Sequence, residues 1–121
     1  MTNEDKDLLL KDLSSRLPYG VKIELMPITR GKCTTLTPII LHDYYISDDV
    51  NYLPYLRPMS SMTEEEEIEY DKIFDKPWYN SFYIDNLLNR FNWLNAHHFD
   101  YHGLIERGLA IAVTEENNPY K

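Results

Sequence analysis

Apolar positions along this chain switch between two periods, and each switch marks a predicted element. Leu9, Leu10, Leu13 and Leu17 recur at helical spacing behind the candidate caps Thr2 and Asn3. An amphipathic helix is therefore predicted over residues 4 to 16, stopped by Pro18. From Gly20 the period falls to two, with Val21, Ile23 and Leu25 on one side and Lys22 and Glu24 on the other, the pattern of a half-buried strand. Pro27 and "TRGK" make a turn. The stretch "CTTLTPIILHDYYI" is rich in β-branched and aromatic residues and predicts one or two strands, with Pro38 confining it to an edge or a bend. "VNYLPYLRP" is held extended by its prolines, as a further strand or a strapping segment.

Two more helices follow. In "SSMTEEEEIEYDKIF", Thr63 with Glu66 three residues on is a capping-box pattern, and the glutamates crowd the first turn, where the helix dipole favours them. Ile84, Leu87, Leu88, Phe91 and Leu94 then give the most periodic stretch of the chain, a core helix over residues 82 to 96. No internal repeat or flexible linker divides the 121 residues, so one domain is expected over 1–121. The order of elements predicts an α+β fold: a small antiparallel sheet covered by the N-terminal helix and a C-terminal helical pair.

Composition changes this picture in two ways. Ten tyrosines against four phenylalanines suit half-buried positions and contact surfaces, so Tyr44, Tyr45, Tyr52 and Tyr55, with Arg57 beside them, are the candidate binding residues. The 20 acidic and 12 basic residues give a net charge of -8, which disfavours nucleic-acid phosphate as a partner. Lys22, Arg30 and Lys32 form the only loose basic cluster. A single Cys33, an acidic N-terminus and the lack of an apolar run of roughly 18 residues lead to the expectation of a cytoplasmic protein without a membrane partner.

The candidate chemistry lies in "WLNAHHFDYHGLIERGLA", where His97, His98, Asp100 and His102 fall within six positions. Imidazoles beside a carboxylate are zinc-ligand material, and His98 and His102 have i, i+4 spacing. Such a site would also have to recruit His42. Backbone duties explain the same residues with fewer assumptions: histidines at a helix C-terminus, Asp100 as N-cap of a short helix over 101 to 107 with Gly103 at the break, and Gly108 as its left-handed end. "LAIAV" would then leave as a buried strand. No phosphate loop, cysteine-nucleophile signature or separable acid and base carboxylates are present, so no cofactor is expected and a non-enzymatic role is favoured.

The phrases "KDLSSRLPYGV", "PYLRPMSSMTEEE" and "WLNAHHFDYHGLIERGLAI" resemble a set of small uncharacterised proteins of gut Bacteroides-type bacteria and their phages. The resemblance covers the N-terminal helix and most of Pro54 to Ile111, and leaves the region from Met26 to Val50 unmatched. It implies a phage or mobile-element origin and no established catalytic residues. The usual form of the last phrase carries an arginine where this chain has His102, which counts against His102 as an essential ligand. Thr63, Glu66, Asp100, Gly103 and Gly108 are then structural caps.

Three functions are carried forward. The leading expectation is a non-catalytic protein that binds a host protein in the host cytoplasm, for example a component of a defence system. The alternatives are a protein that sequesters a nucleotide signal, and a metal-dependent hydrolase built on His97, His98, Asp100 and His102. A homo-oligomer is compatible with the tyrosine content.

Overall fold

The computed structural model describes residues 2–26, 33–46, 51–73 and 82–120. Helix α1 spans Asn3–Arg16. Thr2 and Asp5 close a capping box at its start, the Thr2 hydroxyl accepting from the Asp5 N–H at 3.0 Å. Leu9 and Leu13 bury its inner stripe, and Pro18 ends it in a short 3-10 turn that exits through Gly20 at φ 69°.

The chain then enters β1 (Lys22–Met26), which lies second in a four-stranded sheet of order β2-β1-β3-β4. β2 (Cys33–Thr35) and β3 (Asn51–Leu56) pair with β1 antiparallel, Lys22 opposite Thr35 and Ile23 opposite Pro54. β4 (Ile111–Ala112) pairs with β3 in parallel, beginning at Tyr55 opposite Ile111. That ladder starts one residue past Pro54, so the proline ring occupies a strand flanked on both sides without removing a donor from β4. The core lies under α1: Leu9, Leu13, Val21, Ile23, Leu36, Tyr44, Leu56, Leu104 and Leu109 form one buried cluster. Tyr120 clips the C-terminal segment to the sheet, donating to the Tyr55 carbonyl at 2.7 Å and accepting from the Lys22 N–H at 3.0 Å.

The fold is α+β, and it differs from the sequence expectation at four places. Residues 38–46, read as strand, are helix α2 (Pro38–Ile46). Thr37 accepts from the Ile40 N–H at 3.2 Å, and Pro38 takes the first helical position, where its missing donor costs nothing. Those two residues override the β-branched and aromatic content that follows. Residues 101–107, expected as a second C-terminal helix, are turns: Asp100 does accept from Leu104 and Ile105 at 2.8 and 3.0 Å, but Gly108 at φ 74° closes the chain after one turn. The expected buried strand "LAIAV" contributes only the two half-buried residues of β4, and its pairing is parallel rather than antiparallel.

The fourth difference concerns the helix expected to be core. α3 (Glu64–Lys72) carries the predicted Thr63 and Glu66 capping box, and α4 (Phe82–Ala96) matches its predicted range. Leu94 on α4 is buried, but Leu88 and Phe91 are 55% and 47% exposed. Its apolar stripe is only partly covered.

Candidate functional site

The α4 terminus sets the geometry of the histidine stretch. The Phe99 N–H bonds to the Leu94 carbonyl at 3.0 Å and the His98 N–H to the Asn95 carbonyl at 3.1 Å, with His98 left-handed at φ 63°. This is a Schellman motif, and Trp93 stacked on Phe99 at 5.7 Å supplies its apolar contact. A histidine holds the position that glycine usually takes. Its ring lies flat on Tyr120 at 3.7 Å, and burial pushes its pKa down to about 4, helped by the charge of Arg16.

The four residues of the candidate metal site point to four different partners. His97 donates through Nδ1 to the Trp93 carbonyl at 2.9 Å, and His98 stacks on Tyr120. Asp100 accepts two backbone N–H groups, and His102 holds Asp12. Among the described residues no three His, Cys, Asp or Glu side chains are gathered where they could share a metal ion.

His102 leads to a cluster the sequence analysis missed. Its Nδ1 lies 2.7 Å from Asp12 Oδ2, and Asp12 is gripped by Arg16, Nε on Oδ1 at 2.6 Å and Nη2 on Oδ2 at 3.1 Å. Asp12 and Arg16 are both fully buried. Arg16 Nη2 also donates to the Phe99 carbonyl at 2.6 Å, and the Tyr101 ring covers the guanidinium at 4.9 Å. Burial pushes the Asp12 carboxyl up, but the hydrogen bonds from His102 and Arg16 outweigh it, and its pKa lies below the usual value. The signal was present: Asp12 and Arg16 stand three and seven residues after Leu9, on the same helical stripe as Leu13.

Beside this cluster a cleft of about 1050 Å³ opens between α1, α2 and α4. Leu10, Leu41, Leu88 and Phe91 give it apolar walls, and Asn95, Tyr101 and His102 supply polar groups at one end. His42 from α2 lines it as well, so the fold does bring His42 and His102 to one cavity.

The candidate binding tyrosines divide. Tyr44 is buried in the core with Tyr52 edge-on against it at 5.9 Å, and burial raises its pKa to about 12. Tyr55 is buried and donates to Glu24 at 3.1 Å. Tyr45 is 66% exposed at the rim of the cleft. Arg57 is engaged by both oxygens of Glu66, at 2.7 and 2.8 Å, and this pair pulls the Glu66 pKa down to about 2. Lys22 donates to Thr35, while Arg30 and Lys32 lie outside the described residues.

α2 has the most apolar sequence of the α-helices among the described residues, yet Tyr44 is its one buried side chain. Ile39 and Ile46 are 75% and 62% exposed. No helix among the described residues is long and apolar enough to cross a membrane. Comparison with protein-family models, curated proteins and solved structures finds no match.

Proposed function

We propose that this chain is a non-catalytic binding protein, encoded by a phage or mobile element, that engages a host protein through the uncovered flank of α2. One observation carries this: a helix apolar on nearly all sides leaves Ile39, Tyr45 and Ile46 in water. A helix of that composition ordinarily lies inside a core. Exposed apolar side chains gathered on one face mark interaction sites in soluble proteins, and Ile39 and Ile46 lie two turns apart on one face of α2. The net charge of -8 favours a protein partner over nucleic acid. The resemblance to proteins of Bacteroides-type bacteria and their phages supplies the host.

Of the tyrosines singled out by composition, Tyr45 is the candidate anchor, since Tyr44 and Tyr55 are committed to the interior. The test is quantitative capture from lysate of such a host, comparing the wild-type chain with Ile39→Asp combined with Ile46→Asp. A specific host protein should be retained by the first and lost by the second at equal melting temperature. Equal retention by both would refute the α2 surface as the contact.

A further inference from the structure

We infer that the cleft between α1, α2 and α4 binds a small amphiphile with an apolar body and a single carboxylate head, the head lying at the His102 end. The cleft shares Tyr45 with the proposed partner surface, but neither Ile39 nor Ile46 is among the described residues that line it, and its binding does not depend on the host-protein proposal. The cleft, at about 1050 Å³, matches the upper range of small-ligand pockets, and its apolar walls with a few polar groups have the usual make-up of such sites.

Charge selects the head. The chain has 20 acidic and 12 basic residues, yet no aspartate or glutamate is among the described residues that line the cleft. Lys11, His42 and His102 are. In an acidic protein, a described lining whose charged and titratable members are a lysine and two histidines is locally suited to an anion. A polyanion would still meet the repulsion of the whole molecule, whereas a single charge in the cleft meets mainly its neighbours, because distant charges are screened over about 8 Å at physiological ionic strength. The charge distribution therefore favours a monoanion over nucleic acid or an acidic protein.

His102 is prepared for that role. Asp12 fixes its ring through Nδ1 at 2.7 Å, and Asp12 is itself locked by the buried Arg16. Nε2 remains as the ring nitrogen to meet a ligand. Arg16 balances the Asp12 charge, so the proton that an acid ligand brings can be shared between its carboxyl group and Nε2, making that contact a charge-assisted hydrogen bond.

Titration calorimetry of the intact chain with dodecanoate and with dodecanol, both below their aggregation concentrations, tests the inference. Dodecanoate should bind one to one, about tenfold tighter than the alcohol. Phe91→Asp, at a half-exposed position and checked for an unchanged melting temperature, should weaken dodecanoate at least tenfold. His102→Gln, which keeps a donor for Asp12, should remove most of the preference for the carboxylate and leave dodecanol unchanged. No binding of dodecanoate, equal affinity for acid and alcohol, or dodecanoate binding that survives Phe91→Asp would each overturn it.

Discussion

α1 and α2 pack against each other and treat their side chains in opposite ways. α1 is a polar helix by composition, yet it buries an aspartate and an arginine completely. α2 is the most apolar of the helices, yet it leaves Ile39, Tyr45 and Ile46 in water. Burial here follows the supply of partners rather than side-chain polarity. Asp12 and Arg16 can be buried because they pair with each other, because His102 and the Phe99 carbonyl supply further hydrogen bonds, and because the Tyr101 ring covers the guanidinium, whose Nη1 is buried without a hydrogen bond. The outer residues of α2 have no comparable cover among the described residues, which is the ground for proposing a partner there.

The largest effect should come from breaking the α1 side of the contrast. Asp12→Ala or Arg16→Ala leaves one buried charge unmatched and should cost about 3–5 kcal/mol in urea denaturation. Replacing both, with Asp12→Leu and Arg16→Met, should cost much less. Should each single substitution lower stability no more than the double one, the pair is not a mutually dependent unit.

Acid should act next, through the loop that holds this pair. His98 has a folded pKa of about 4 against an ordinary 6.5, so the unfolded chain takes up the proton first. Its contribution to stability is complete above pH 6.5 and is lost as pH falls from there toward 4. The slope is at most about 1.4 kcal/mol per pH unit, read from denaturant midpoints at pH 7 and pH 5. His98→Asn, which tolerates the left-handed backbone, should flatten that slope. Asp100→Ala should follow, at about 1–3 kcal/mol, because the N–H groups of Leu104 and Ile105 lose their acceptors.

The smallest effect is the one that sharpens the comparison most. Ile39→Ser with Ile46→Ser should change stability by no more than about 0.5 kcal/mol, as surface substitutions do. A large loss in thermal denaturation would show that these side chains serve the fold after all.

Much of this was legible in the sequence where a local signal had one interpretation. The α1 stripe of Leu9 and Leu13, the Thr63 and Glu66 box, and the range of α4 are set by periodicity and capping, which need no distant partner. α2 is hard to read from sequence because β-branched and aromatic residues describe a strand on average, while the deciding signal is the pair Thr37 and Pro38. The Asp12 and Arg16 pair stayed hidden for a different reason. Its spacing reads equally as a surface ion pair, and only the packing of residues 99–102, some eighty positions away, turns it inward. The histidine stretch suffered the same limit: adjacency in sequence suggested convergence, and the left-handed His98 sends the side chains to separate partners.

The most direct test of the central claim, that the uncovered flank of α2 exists for a partner, is photo-crosslinking in the host cell with a benzophenone amino acid at position 46 or, as control, at the equally exposed Ile68 on α3. One discrete host-protein adduct is expected from position 46 and none from position 68. Adducts of equal yield from both positions, or adducts only to other copies of the chain, would contradict it.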